Sequence, residues 1–218
     1  MIALLAPSSC LSCREEGSLL CYGCAEADLM VPESRCYRCN RLTEFMRVCG
    51  ACRRKTALKQ VFIRSEYTGL AKELVHKMKF SYSSEAARLL ARELANTIPA
   101  LSPDTMLVPI PTISVHVRQR GFDHTTQIVR EMAHLGDYGY LPALVRTGQV
   151  RQVGSQRRVR LQQVKGTFWV KQPFDVQGRP VLLVDDVVTT GATLEAAAEA
   201  LKAAGARSIQ AVVFARAK

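Results

Sequence analysis

The sequence predicts an α/β protein: a parallel sheet with helices on both faces, preceded by a small cysteine-rich segment. Three observations carry this. From about residue 61 onward, apolar runs of strand length alternate with stretches of helical period. All 8 cysteines fall in four C-x-x-C pairs, and none lies beyond position 52. One apolar run, Val181-Leu182-Leu183-Val184, ends in two aspartates and a Thr/Gly-rich turn. With 218 residues, 48% of them apolar, the chain can bury one domain of ordinary size plus an appendage. The composition excludes a disordered or fibrous chain. No run reaches the roughly 18 uncharged apolar residues of a transmembrane helix. The start, Met1 to Ala6, has no basic flank and its apolar run stops at Pro7, so it does not read as an export signal and a cytoplasmic protein is expected.

The pairs are Cys10/Cys13, Cys21/Cys24, Cys36/Cys39 and Cys49/Cys52. A C-x-x-C turn aims two sulfurs at one centre, and two such turns make a tetrahedral thiolate site. Eight thiolates thus predict two structural Zn²⁺ sites, closed to a catalytic water. A disulfide scaffold would need an oxidising compartment, and nothing in the sequence announces export. Spacing leaves the pairing open between sequential ribbons (10/13 with 21/24, 36/39 with 49/52) and a cross-braced arrangement (10/13 with 36/39). The segment is too small for a core of its own, so metal would supply its folding energy, on the order of 10 kcal/mol per site. Arg53-Arg54-Lys55 closes it, giving expected domains of residues 1–57 and 58–218.

After that boundary, 61–67 reads as a strand. Leu70, Leu74, Val75 and Met78 have helical spacing over 69–79. A second helix follows, capped by Ser83 or Ser84, with Ala87, Leu90, Ala91 and Leu94 on one face. Residues 106–110 form a short buried strand ending in a proline-rich turn, and 125–135 read as helix. Gly154-Ser155-Gln156 predicts a loop. The run 181–184 is a central parallel strand, 193–204 an alanine-rich helix stopped by Gly205, and 208–215 a final strand.

The stretch Asp185-Asp186-Val187-Val188-Thr189-Thr190-Gly191-Ala192-Thr193 follows an apolar strand and opens a helix. Ligands of open α/β sheets bind outside the carboxyl ends of strands. Consecutive N–H groups at a helix N-terminus attract phosphate, the threonines add hydroxyls, and Gly191 allows close approach. Asp185 and Asp186 would repel phosphate but accept hydrogen bonds from ribose hydroxyls. Val188 to Thr193 therefore reads as a phosphate cradle with the two acids as the catalytic and ribose-binding pair.

This stretch closely resembles the phosphoribosyl-diphosphate (PRPP) motif of type I phosphoribosyltransferases. More of the chain is similar to one family with that fold, the ComF (ComFC) competence proteins with their double zinc ribbon. The cysteine pairs, Tyr67-x-Gly69, His76-Lys77-x-Lys79-Phe80, Val108-Pro109-Ile110-Pro111, Arg118-x-Arg120-Gly121-Phe122-Asp123, and Arg146, Gln152, Arg160 and Gly166-Thr167-Phe168 carry the resemblance. Asp123 and Gln163 stand where asparagine is usual in the family. The resemblance implies a type I phosphoribosyltransferase-like sheet, with Pro109 and Ile110 in a loop facing the diphosphate. Arg118 and Arg120, whose guanidinium forks fit phosphate, and Lys79 would hold its charge, and Mg²⁺ would accompany it.

The net charge is +11, and residues 111–171 hold ten Lys and Arg against three Asp and Glu. A local excess of this kind predicts a polyanionic partner. Arg151, Arg157, Arg158 and Arg160 are the candidate nucleic-acid contacts. Two functions follow. The resemblance implies a PRPP-binding accessory that handles single-stranded DNA in natural transformation, with competence-machinery proteins as possible partners. The alternative is an active phosphoribosyltransferase that transfers phosphoribose from PRPP to a nitrogenous acceptor and releases diphosphate. No acceptor-base pocket is recognisable, so turnover is left open.

Overall fold

The computed structural model describes residues 8–80, 83–112, 123–146 and 168–217. Its centre is a five-stranded, all-parallel sheet. The strands are β1 (Leu58–Glu66), β2 (Met106–Pro109), β3 (Gly139–Tyr140), β6 (Pro180–Val188) and β7 (Ser208–Arg216), in the order β1-β7-β6-β2-β3. A separate antiparallel hairpin pairs β4 (Leu144–Arg146) with β5 (Phe168–Val170). Six α-helices accompany them among the described residues: α1 (Tyr22–Asp28), α2 (Gly50–Arg53), α3 (Gly69–Phe80), α4 (Ser84–Thr97), α5 (His124–Gly136) and α6 (Ala192–Ala203).

Each element has a local cause. Ala71, Leu74, Val75 and Met78 form the buried stripe of α3. Ser83 caps α4 by accepting from the Ala86 N–H at 3.1 Å. Asp123 caps α5, accepting from Thr125 and Thr126. Gly205, at φ 88°, ends α6 in the left-handed region that glycine tolerates. β6 is longer than its apolar run suggests: the ladder continues through both aspartates to Val188, whose carbonyl accepts from the Ala217 N–H at 2.9 Å.

Residues alternate across β6, so Leu182 and Val184 face one layer and Val181 and Leu183 the other. The first layer holds α3, α4 and α5, the second α6 and the β4–β5 hairpin. From β2 the chain passes through α5 to β3 in one direction along the sheet. From β6 it passes through α6 to β7 in the other. The order therefore reverses between β2 and β6, which opens a crevice at their carboxyl ends.

The cysteine segment is a structural repeat. Arg14 and Asn40 follow the first knuckle of each half in the left-handed conformation (φ 69° and 61°). Cys10 and Cys36 N–H groups donate to Glu15 and Arg41 carbonyls, and Ser9–Glu16 and Arg35–Leu42 are matching antiparallel bridges. Each second knuckle opens a helix, α1 after Cys21 and α2 after Cys49. The halves straddle the sheet's β1 edge. Leu20, Ala25 and Leu29 of the first join the α3–α4–α5 core, and Cys36, Tyr37, Val48 and Cys49 of the second join the α6 core. Between them, the Lys59 carbonyl accepts from Val48 and the Glu66 N–H donates to Met30, which covers parts of an edge that would otherwise invite strand addition. The chain enters β1 at Leu58, but packing does not divide there.

Candidate functional site

The crevice between β2 and β6 gathers the residues singled out in the sequence. Thr189 and Thr190 are exposed at its rim, and Gly191, at φ 81°, turns the chain into α6. The Ala192 N–H donates to Thr190 Oγ1 at 3.3 Å, and Thr193 is half-buried in the first turn. Val188 points into the core beside Leu194, so only its backbone borders the crevice.

The two acids lie on opposite faces because they are consecutive on a strand. Asp186 turns inward to the helical layer, where its Oδ2 meets Lys79 Nζ at 2.6 Å and His124 Nε2 at 2.9 Å, with 7% of its side chain exposed. Burial opposes its charge, but the His124 hydrogen bond and the Lys79 ammonium outweigh it and hold the carboxyl below its usual range. Asp185 faces the α6 side, largely buried, and its Oδ1 accepts from the Asp186 N–H at 2.9 Å. Burial first, and the Asp186 charge second, push its pKa up to about 8. The environment thus drives the two neighbouring carboxyls in opposite directions. Asp186, expected on ribose hydroxyls, and Lys79, expected on diphosphate, are engaged with each other.

Across the crevice, the Ile110 N–H donates to the Val184 carbonyl at 3.0 Å, and Pro109 and Pro111 have no N–H. The Thr112 N–H donates to Asp123 Oδ2 at 3.1 Å, and the Thr112 hydroxyl to Asp123 Oδ1 at 3.1 Å. The backbone donors of 109–112 are therefore spent within the protein. Asp123 joins the two ends of segment 113–122 while it caps α5. Arg118 and Arg120 belong to that segment and lie outside the described residues. Arg151, Arg157, Arg158 and Arg160, and the Gly154-Ser155-Gln156 turn, also lie outside them. β4 and β5 bring the ends of the basic stretch together: Arg146 pairs with Phe168 and stacks on its ring at 5.4 Å.

Three residues outside the predicted site set belong to this neighbourhood, of which the sequence points only to the position of His124, the one histidine close to the expected site. His124 links Asp186 to Thr112, whose hydroxyl lies 3.4 Å from Nδ1. Tyr37, between Cys36 and Cys39, packs beneath Gly191, and Glu195 on the first turn of α6 receives the Tyr37 hydroxyl at 2.6 Å. Only the adjacency of His124 to the R-x-R-G-F-D segment could have signalled any of them.

The cysteines form two groups of four, Cys10/13/21/24 and Cys36/39/49/52, with the sulfurs of each within 4.8 Å of one another. The pairing is sequential, not cross-braced. Sulfur separations of 3.5–3.8 Å within the groups fit the edge of a tetrahedron with metal–sulfur bonds of roughly 2.3 Å, about 3.8 Å, and are far from a disulfide. Each cluster could hold a metal ion.

Residues 87–218 match the phosphoribosyl transferase domain family. The chain belongs to that family. Over nearly its whole length it is also similar to proteins named for DNA utilization or for competence. DNA utilization protein YhgH of Salmonella typhimurium is 31% identical over 95% of this chain and 96% of its own. Competence protein F of Haemophilus influenzae is 28% identical over 95% and 96%, and competence protein ComFC of Streptococcus pneumoniae 26% identical over 96% and 93%. The chain is thus a phosphoribosyltransferase-domain protein of ComF type, with two four-cysteine clusters at its N-terminal end. Among its described residues, no helix is long and apolar enough to cross a membrane.

Proposed function

We propose that this ComF-type phosphoribosyltransferase domain binds PRPP or a related ribose phosphate in the β2–β6 crevice, and that the protein handles single-stranded DNA during natural transformation in the cytoplasm. One observation carries the ligand: the Thr189–Gly191 turn opens a twelve-residue helix at the point where strand order reverses, with the partly exposed Asp185 carboxyl beside it. Thr189, Thr190 and the N–H groups from Gly191 to Thr193 receive the 5-phosphate. Asp185 accepts from a ribose hydroxyl, which favours loss of its proton on binding. Asp186, fixed by Lys79 and His124, holds the strand end. With the backbone of 109–112 committed, the diphosphate falls to Arg118 and Arg120, and Mg²⁺ bound with it would neutralise part of its charge.

Zn²⁺ suits both clusters, since four thiolates close a tetrahedral site. Bound there it supplies folding energy to a segment with no core of its own. The DNA role draws on the likeness to DNA utilization and competence proteins and on the basic stretch with Arg151, Arg157, Arg158 and Arg160. Contacts of that kind are made to phosphates and weaken steeply with salt.

The test is to incubate the protein with PRPP and Mg²⁺, with and without purines, pyrimidines and amines. Binding and diphosphate release are measured, and in parallel single-strand DNA binding across a salt series. PRPP binding without release, and DNA binding lost on charge reversal at Arg157 and Arg158, is the expected pattern. Robust release that disappears in Asp185→Asn would establish turnover instead.

A further inference from the structure

The second cysteine cluster and the phosphate turn are one packed unit. Tyr37 sits inside the Cys36–Cys39 knuckle, buried, with its ring beneath Gly191. A Cβ placed on Gly191 would lie 3.0 Å from both Cδ2 and Cε2 of that ring, so the turn rests directly on it. The Tyr37 and Thr56 hydroxyls each donate to one carboxylate oxygen of Glu195 at 2.6 Å. Arg38, on the same knuckle, reaches Glu195 Oε1 at 3.3 Å. Cys36 and Cys49 share a core with Val188 and Leu194, which flank the turn. The first cluster lies on the other face of the sheet and has no residue in that core.

Glu195 is in the first turn of α6, where its charge would compete with a bound phosphate for the helix N-terminus. The knuckle draws that carboxylate onto two hydroxyls and a guanidinium. We propose that Tyr37 is a positioning residue for the phosphate turn, and that metal in the second cluster, but not in the first, sets ribose-phosphate affinity by holding the Tyr37 ring under Gly191 and Glu195 away from the ligand. This rests on the reading of the turn as a phosphate cradle. Four thiolates hold the knuckle's shape only when bridged, and without a metal Tyr37 and Arg38 are tethered by the chain alone.

The experiment uses the full chain, with metal content per chain measured for every variant. Ribose 5-phosphate and PRPP with Mg²⁺ are titrated calorimetrically. Amide hydrogen exchange is followed over Ala192–Glu195. Tyr37→Ala is expected to keep its metal, lose at least tenfold in affinity and exchange faster only around the turn. Tyr37→Phe, which keeps the ring, recovers most of the affinity, and Glu195→Gln added to Tyr37→Ala recovers part of it, which a merely structural loss would not allow. Cys49→Ser loses affinity as Tyr37→Ala does, whereas Cys21→Ser loses less than threefold. A Tyr37→Ala protein with wild-type affinity and exchange overturns the proposal, also if Cys49→Ser fails to fold. If the wild type binds neither ligand, the cradle reading itself falls, while the exchange data still report whether Tyr37 holds the turn.

Discussion

Asp186 and Lys79, 107 positions apart in sequence, form an ion pair of 2.6 Å that ties the end of β6 to the end of α3, with His124 as a third member at 2.9 Å. Removing one partner from a mostly buried pair leaves an uncompensated charge, which costs more than the pair itself contributes. Lys79 keeps 24% of its side chain exposed, so water recovers part of that cost. Lys79→Met is therefore expected to lower stability by about 2 kcal/mol, or roughly 4–8 °C in melting temperature. Lys79→Met with Asp186→Asn should recover a good part of it, because a neutral amide needs no counter-charge. Equal losses in the single and double variants would mean that the charges do not couple.

The two consecutive acids act in opposite directions with pH. Asp185 is pushed up to about 8 by burial and by Asp186, so between its ordinary range near 4 and about 8 the folded chain holds a proton that the unfolded chain releases. Its contribution to stability falls as pH rises through that window and is level above it. Asp186 is held low, so it contributes stability above the ordinary carboxylate range and loses it as pH falls through its native value. Asp185→Asn should consequently melt several degrees above the wild type at pH 8, with the gap closing toward pH 4. A gap that is constant with pH would place the Asp185 pKa at its ordinary value. If a ribose hydroxyl donates to Asp185, ribose-phosphate binding should release protons near neutral pH, read from the buffer dependence of the binding enthalpy, and Asp185→Asn should abolish that release.

Asp123 is engaged through both of its carboxylate oxygens, which an amide could not reproduce. Oδ1 accepts from the Thr125 and Thr126 N–H groups and the Thr112 hydroxyl, and Oδ2 accepts from the Thr112 N–H. An asparagine would place its NH₂ against one of these donors. Asp123→Asn should lose about 1–2 kcal/mol, and Asp123→Ala slightly more as the cap is lost entirely. Thermal melts of both variants check this, and an unchanged asparagine variant would show that the Thr112 bond is dispensable.

Much of the scaffold was legible because its causes are local. Ser83, Gly205 and the stripe of α3 announce their elements within a few residues, and the acids of 185–186 announce the crevice because a strand and a helix flank them. What was hidden depends on distant partners. Period-two alternation on a strand splits Asp185 and Asp186 between faces, but only α3 and α5 decide that the second is filled by Lys79 and His124. The β4–β5 pairing is invisible because residues without periodicity separate its strands. The sequential sharing of the cysteines could not be read from spacing, since both arrangements have the same pairs. It is fixed by the twofold repeat of knuckle and cysteine-capped helix. Tyr37 meets Glu195 across 158 positions, with no local signature at either end.

Arg64 and Glu93 offer the sharpest stability test, because both are buried. Their side chains are 10% and 7% exposed, and Arg64 Nε donates to Glu93 Oε2 at 2.9 Å, joining β1 to α4. Arg64 Nη2 also reaches the Ala25 carbonyl of α1 at 3.4 Å, so the same guanidinium touches the first cysteine repeat. Glu93→Leu alone leaves the guanidinium without its carboxylate and is expected to cost about 3–5 kcal/mol, lowering the melting temperature by roughly 10 °C. Arg64→Met with Glu93→Leu removes both charges and their desolvation, and should return to within about 1 kcal/mol of the wild type. A chemical-denaturation cycle over the four proteins measures the coupling. A coupling near zero would mean that solvent reaches the pair, and that the β1–α4 seam is held by apolar contacts alone.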